Sequence, residues 1–407
     1  MVASRTAFLW MALAAESLRG QSFSQRGFLE LRGAFYPQTA PGDSGRAVGE
    51  ALLRWEPSLQ LSPSWKLNAA FDARTDTHRQ VERIWRADFQ DRRRQRPAFS
   101  LRRASALWHK GPLTVEAGKQ FIRWGKADIL NPTDRFAPRD YLSVTDSDFL
   151  AVTGARITVE HGAETLDLVV TPRLTPSRAP LLNQRWVLIP ETLRALGVED
   201  AGSRFPGRAQ YGVRWNRNAN GYEYSFVFYD GFHHLPLIEG ELGARVRLRR
   251  YHPRLRLYGG DAAVPTRLAT LKGEAAWFTS SDRTADEYVL YVIQAERTWK
   301  EWVFAGGYAG EAVTSRRNPV AFAADRGFAR AFVARAAYTI DPRRSFAVEA
   351  AVRQNGEGTW TRAEYSHQLS GHLRATASFT LIRGEPNDFL GQYRRNSHGM
   401  IALRYNF

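Results

Sequence analysis

The feature that most limits what this chain can become is a period of two, sustained over long stretches. Trp65, Leu67, Ala69, Phe71 and Ala73 fall on one side of an extended segment, and Lys66, Asn68, Asp72 and Arg74 on the other. Successive side chains of a strand point to opposite faces, whereas a helix repeats every 3.6 residues, so this pattern specifies strand. It returns around Ile157 and Val159, and in SFAVEAAVR and HLRATASFTL. In LGARVRLRR it sets Leu242, Ala244, Val246 and Leu248 against Arg245, Arg247 and Arg249. The segment RGFARAFVARAAY is less regular, because Arg330 shares a face with Phe328 and Phe332. Only PETLRALGVED, Pro190 to Asp200, suggests a short helix inside a loop.

Strand length separates the all-β architectures. Strands of a soluble sandwich usually run about 5–6 residues. Many here run about 10–13, the length a tilted strand needs to cross a hydrocarbon layer of about 30 Å. Aromatic residues stand near strand ends, as at Trp65, Trp302, Tyr405 and Phe407, and the polar faces carry Arg, Glu, Asp, Thr and Ser. This predicts an all-β fold, a transmembrane antiparallel up-and-down β-barrel with its apolar face on lipid and its polar face around a wet lumen. Nineteen candidate strands can be marked, among them 241–250. A single-chain bacterial barrel needs an even number, and the connection lengths put the miscount within residues 231–268. About 18 strands are expected, with 16 as the alternative.

The N-terminus, MVASRTAFLWMALAAESLRGQS, begins with one basic residue, Arg5, followed by an apolar run from Ala7 to Ala15 with small residues near Ala12 and Ala14. The run is too short to span a bilayer as a helix, so residues 1–20 read as a cleaved secretory signal peptide and 21–407 as one outer-membrane barrel domain. The chain has no cysteine, which removes disulfides, thiolate metal sites and cysteine nucleophiles. The formal charge of +16 comes almost wholly from arginine, since only six of 57 basic residues are lysine. Those arginines recur along alternating segments instead of gathering in one arm or helix, which argues against nucleic acid as a partner.

Catalytic constellations are weak. Ser366 and His367 are neighbours on one strand and face opposite ways, His233-His234 stands in a loop beside Asp230, and there is no GxSxG, HExxH or EF-hand loop. No enzyme activity, metal or cofactor is expected. A plug-bearing transporter would need a long domain before the first strand, and strands begin by about residue 25. A channel fits better, with Arg245, Arg247, Arg249, Arg254, Arg256, Arg353, Arg374 and Arg404 expected on the lumen face, where rings of arginine favour anions. Asp72, Glu160, Glu223, Glu274 and Glu349 are carboxylates available to pair with them.

Two segments carry resemblances. HGMIALRYNF alternates up to a terminal phenylalanine and resembles the last strand of bacterial outer-membrane proteins, in which Tyr405 and Phe407 would be read by the barrel-assembly machinery. The stretch GKQFIRWGKADILNPTDRFAPRDYL contains Gly118, Gln120, Trp124 and Gly125 in a G-x-Q-x-x-x-W-G pattern, followed by Asn131-Pro132-x-Asp134. It resembles the shared element of an uncharacterised porin-like family of bacterial outer-membrane proteins. The resemblance implies a barrel in the bacterial outer membrane and a transport role.

By strand order, Gly125 to Leu150 is the third external connection, too long and too charged for a bare tip. It is expected to fold into the barrel. Arg123, Trp124, Lys126, Asp128, Asn131, Asp134, Arg135, Arg139 and Asp140 would pin it or face the solute, with an external clasp on the rim as the alternative. The expected function is passive diffusion of small polar or anionic solutes. Alternatives are an envelope-assembly or polysaccharide-export barrel and, further off, an outer-membrane lipid hydrolase. The expected partners are outer-membrane lipid and lipopolysaccharide, the assembly machinery, the solutes, and further copies of the chain as a homo-oligomer.

Overall fold

The computed structural model describes residues 22–407 apart from 86, 129, 188–196, 244 and 317–322. The expected signal peptide and most of the expected short helix therefore lie outside the described residues. Nineteen segments share one hydrogen-bonded sheet. One of them, Ala87–Asp88, only touches the start of a wall strand in parallel. The other 18 form the wall. They are β1 (Ser22–Phe35), β2 (Ala47–Ser62), β3 (Trp65–Asp76), β4 (Phe99–Lys110), β5 (Leu113–Gln120), β6 (Val152–His161), β7 (Glu164–Thr171), β8 (Gln210–Ala219) and β9 (Tyr222–Phe232). They continue with β10 (Arg254–Pro265), β11 (Thr270–Thr279), β12 (Glu287–Trp299), β13 (Trp302–Ser315), β14 (Ala331–Asp341), β15 (Arg344–Arg353), β16 (Gly358–Gln368), β17 (Leu373–Gly384) and β18 (His398–Asn406).

Each wall strand pairs antiparallel with the next, and β1 pairs with β18 from Phe28–Asn406 to Phe35–Gly399, so the sheet closes. Closure leaves no edge in the wall. The alternation sorts the two faces as the sequence pattern requires. Phe226, Ile293 and Ile401 stay 63%, 65% and 63% exposed on the outside, an apolar belt that only lipid covers. Outward aromatics band both ends, with Trp302 between Phe304 and Tyr338 at one and Tyr258 between Phe228 and Trp277 at the other.

β1 starts and β18 finishes at the end where hairpins are short. Asn220-Gly221 makes one such turn with φ of 54° and 82°, the left-handed pair that matches strand twist. The long connections leave the other end. Two of them supply a separate three-stranded sheet of Val198–Arg204, Val246–Tyr251 and Leu237–Leu242. The candidate strand 241–250 is therefore not part of the wall. Period two reports strand and says nothing of which sheet the strand joins. The irregularity around Arg330 also resolves: Arg330 takes φ 57° and β14 begins after it, so Phe328 and Phe332 lie on different elements.

The first and last wall strands meet at Gly27. Its N–H donates to the Phe407 carbonyl at 2.9 Å, the Phe407 N–H returns the bond at 3.0 Å, and a Cβ on Gly27 would lie 2.5 Å from the Phe407 ring. The Gly27→Val protein should therefore lose the last rung of closure and misplace the ring, at about 1–3 kcal/mol. Folding into lipid vesicles, followed by heat-dependent gel mobility, should show a smaller folded fraction than for the parent chain.

Candidate functional site

The chain leaves β5 through residues selected for close approach. Gly118 has φ 120°, and a Cβ there would sit 2.2 Å from the Ala104 carbonyl oxygen. Gln120 is fully buried and its side-chain amide donates to the carbonyls of Glu116 at 2.9 Å and Gly154 at 3.3 Å. Trp124 and Phe136 are likewise buried and meet edge to face at 5.2 Å, and Phe136 meets Tyr229 in the same way. Gly212 on β8 makes the space, since a Cβ there would be 2.4 Å from the Phe136 ring. Gly212 and Tyr229 are paired, buried, lumen-side positions of β8 and β9. The segment after β5 thus packs inside the wall.

One carboxylate organises the first half of the loop. Glu274, on the lumen face of β11, accepts the N–H groups of Lys126 at 3.1 Å, Ala127 at 3.1 Å and Thr133 at 2.8 Å, and the Thr133 hydroxyl at 2.8 Å. A Cβ on Gly125 would come within 2.9 Å of that carboxylate, so the glycine lets the backbone approach. Lys126 Nζ reaches Glu223 at 2.6 Å and Asp261 at 3.1 Å. Asp128 accepts from Lys272 at 2.9 Å and Gln294 at 2.6 Å. Buried Asn131 donates its side-chain amide to the Ala127 carbonyl. With Asn216, which accepts from Lys126 Nζ at 3.3 Å, these partners belong to β8 through β12.

The second half reaches the opposite wall. Asp134 accepts the Trp124 N–H at 3.0 Å and Arg123 Nε at 2.9 Å; burial pushes its carboxyl above the usual range, against the pull of Arg123. Burial would do the same to Asp140, but Arg96 Nε at 2.9 Å and Arg178 Nη1 at 3.1 Å hold it well below. Asp148 takes both terminal nitrogens of Arg102 on β4 at 2.9 and 3.1 Å. Asp146 lies 3.6 Å from Arg32 on β1 and 3.9 Å from Arg362 on β16. The loop is therefore bonded to β8–β12 at one end and to β1, β4 and β16 at the other. It crosses the lumen.

Beside it lies a cavity of about 340 Å³, bounded by the loop from Asp128 to Phe149, the inner wall of β12 to β16, and Asp325 and His234 of neighbouring connections. Arg335 and Glu349 pair on its wall side at 2.9 Å. Arg135 stands 3.8 Å from Asp325, over the ring of Phe278. Arg123 and Arg139 flank the Phe149 ring at 3.9 and 4.1 Å. Among the described residues the Arg139 guanidinium makes one hydrogen bond, to Ser147 Oγ at 3.2 Å, and no ion pair, with Asp134 as a more distant carboxylate that feels its charge.

Of the arginines expected in the lumen, Arg353, Arg374 and Arg404 have inward register positions, bonded to Asp388, Gln368 and Glu30. Arg245, Arg247 and Arg249 belong to the connection and strand of the separate sheet, and Arg254 and Arg256 share the outward face of β10 with Tyr258, since Leu255 and Leu257 are the buried ones. These five are corrections to the lumen expectation: the first three follow from the misassigned strand, and Arg254 and Arg256 face out because Leu255 and Leu257 turn inward to join the buried cluster of Trp124, Phe136 and Tyr229. Tyr405 and Phe407 stand exposed at the terminus end of the outer face. The sequence reading placed Glu274 as a lumen carboxylate but paired it with arginine, where it receives backbone amides. It missed Gln294, Asp325, Phe149 and Arg335, whose roles arise only when strands distant in sequence face the loop.

No family model and no curated protein matches the sequence. Solved structures do match the fold. A BenF-like porin from Pseudomonas fluorescens superimposes with a TM-score of 0.57 at 10% identity, over 96% of this chain and 98% of that one. The chain has the porin fold. OccAB4 of Acinetobacter baumannii gives 0.56 at 10% identity over 96% and 98%, and OpdQ of Pseudomonas aeruginosa 0.54 at 11% over 95% and 98%. In this porin-fold barrel the G-x-Q-x-x-x-W-G and N-P-x-D residues form the root and the seat of the crossing loop.

Two predictions follow from the seat. Glu274→Ala leaves three amides and a hydroxyl without their acceptor and should weaken the seat by about 3 kcal/mol. Hydrogen exchange at Ala127 and Thr133 should quicken by about 100-fold, while exchange in β1 and β18 stays unchanged. The second concerns pH. Burial lowers His233 and His252 to about 4, from 6.5, in the external connections. The folded state then binds fewer protons than the unfolded one between those values, so stability is intact above pH 6.5 and is lost as pH falls towards 4. Proteolysis of the external connections should accelerate over that window with the wall left whole.

Proposed function

We propose that this chain is an outer-membrane channel through which small polar and anionic solutes diffuse passively, passing between the crossing loop and the inner wall of β12 to β16. The observation that carries this reading is the loop itself, bonded to wall strands on both sides of the barrel with a lined cavity left beside it. Passive selection needs only size and charge at such a neck. Most wall charges inside the barrel are paired, as in Arg54 and Arg74 with Asp72 at 2.7 and 2.8 Å or Arg156 with Asp167 at 2.7 Å. Those pairs stiffen the wall and cancel one another's field. The anion preference therefore rests on Arg139, with Arg135 beside it, and not on rings of arginine along the strands.

The porin named among the structural neighbours supports the transport role, and the apolar outer belt supports the outer-membrane location. The long connections then face outward and the termini inward, as in single-chain bacterial barrels. The resemblance carried by Gly118, Gln120, Trp124 and Gly125 fits the same reading, because each of these residues serves the loop.

Planar-bilayer recording tests the proposal. The parent protein should give stepwise conductance with a reversal potential displaced towards that of the anion. Arg135→Gln/Arg139→Gln should cut the anion-to-cation permeability ratio by about twofold or more at low salt, an effect that fades as salt screens the opening. Removing residues 130–146 should raise the conductance. A barrel silent both with and without the loop sinks the reading.

A further inference from the structure

The outer face of the wall carries a second basic group that the channel does not use. On β9 and β10, at the end bearing the long connections, the aromatic band of Phe228, Tyr258 and Trp277 is followed one step outward by Asp230 and Arg256, which are register partners. Arg254 donates to Asp230 at 2.9 Å, Arg208 approaches it at 3.4 Å and Arg256 at 3.5 Å. Three guanidiniums share one carboxylate, leaving two positive charges in excess. The side chains of Arg208 and Arg256 are both half exposed, each touching Asp230 through a single nitrogen. A guanidinium has five N–H donors, so most of theirs point to the surroundings.

We propose that Arg208, Arg254 and Arg256 form a site on the outer wall for the phosphate of a phosphorylated glycolipid of the outer leaflet. Arginine forks match phosphate oxygens in pairs, and a site at the upper limit of the apolar belt meets a headgroup whose acyl chains lie along Tyr258 and Phe226. Asp230 holds the three side chains together without neutralising them. Next to the triad a groove of about 380 Å³ is walled by Phe205, Tyr251 and Arg254 and also carries Asp282. The groove is lined as well by His252 and by Arg204, which lies over the Tyr251 ring at 5.6 Å and is paired with Glu239, and this mix of rings and hydrogen-bonding groups suits a saccharide, so the groove takes the sugar and the triad takes the phosphate. The inference rests on the membrane placement proposed above.

Native mass spectrometry of the whole protein in detergent, titrated with bis-phosphorylated lipid A and with the same lipid stripped of phosphate, tests it. The parent should bind the phosphorylated lipid at least about tenfold more tightly. Arg208→Gln/Arg254→Gln/Arg256→Gln should lose that margin, and the single Arg256→Gln should lose part of it, both with parental heat-dependent mobility and conductance. Arg344→Gln, an arginine paired with Asp341 at the opposite mouth, should bind as the parent does. Unchanged binding in the triple variant, equal affinity for the stripped lipid, or full displacement by an equal concentration of inorganic phosphate would each overturn the site. Loss of lipid in Arg344→Gln alone would show instead that the membrane placement is inverted.

Discussion

Within hydrocarbon no water is at hand for a backbone N–H or C=O, and every other feature of this molecule follows from that. A sheet in lipid must close, since each unpaired group on an edge costs several kcal/mol. Closure through β1 and β18 leaves a mainly apolar belt around the outer face and gives every second residue to an enclosed interior. The enclosed face is where polar chemistry becomes affordable. Buried carboxylates such as Asp72, Asp167 and Glu274 are tolerated because guanidiniums or backbone amides meet them at hydrogen-bond distance.

The crossing loop uses that interior as its own solvent. Its backbone amides at Lys126, Ala127 and Thr133 are satisfied by one wall carboxylate, and its aromatic residues fill the space left by Gly212. Its far half is fastened by ion pairs of Asp140 and Asp148 with arginines. The charges at the neck thereby divide into two groups. Most are consumed in fastening, and Arg139, held against Phe149, is left lining the cavity. Charge concentration around turns in a sequence resembles a catalytic cluster, yet here it serves mainly to place backbone.

Much of the fold was legible from residue types. In β3 the inward Lys66, Asn68, Asp72 and Arg74 and the outward Trp65, Leu67 and Phe71 fall as period two demands, because a strand in a barrel wall has only two faces. The same rule misled at Arg245 to Arg249, where an alternating strand joins a small sheet built from two external connections. Alternation measures a local environment that differs on two sides, and a strand lying over a mouth meets that condition as well as one in lipid does. The loop residues were found because turn chemistry and paired charges are local. Their partners Gln294 and Arg335 on the wall and Asp325 in a connection were not, since each is far along the chain and none is unusual in its own segment.

By itself the sequence determined that the chain would be strands, that those strands would be long enough to span lipid and, where apolar and polar residues alternate as in β3, which face would meet it. Local alternation and length are properties of a single segment. The tertiary structure decided that 18 strands close, that the loop after β5 crosses to bond both walls, and which arginines lie inside. Those outcomes depend on which segments become neighbours around a closed ring, and neighbourhood across hundreds of residues leaves no mark on any one of them.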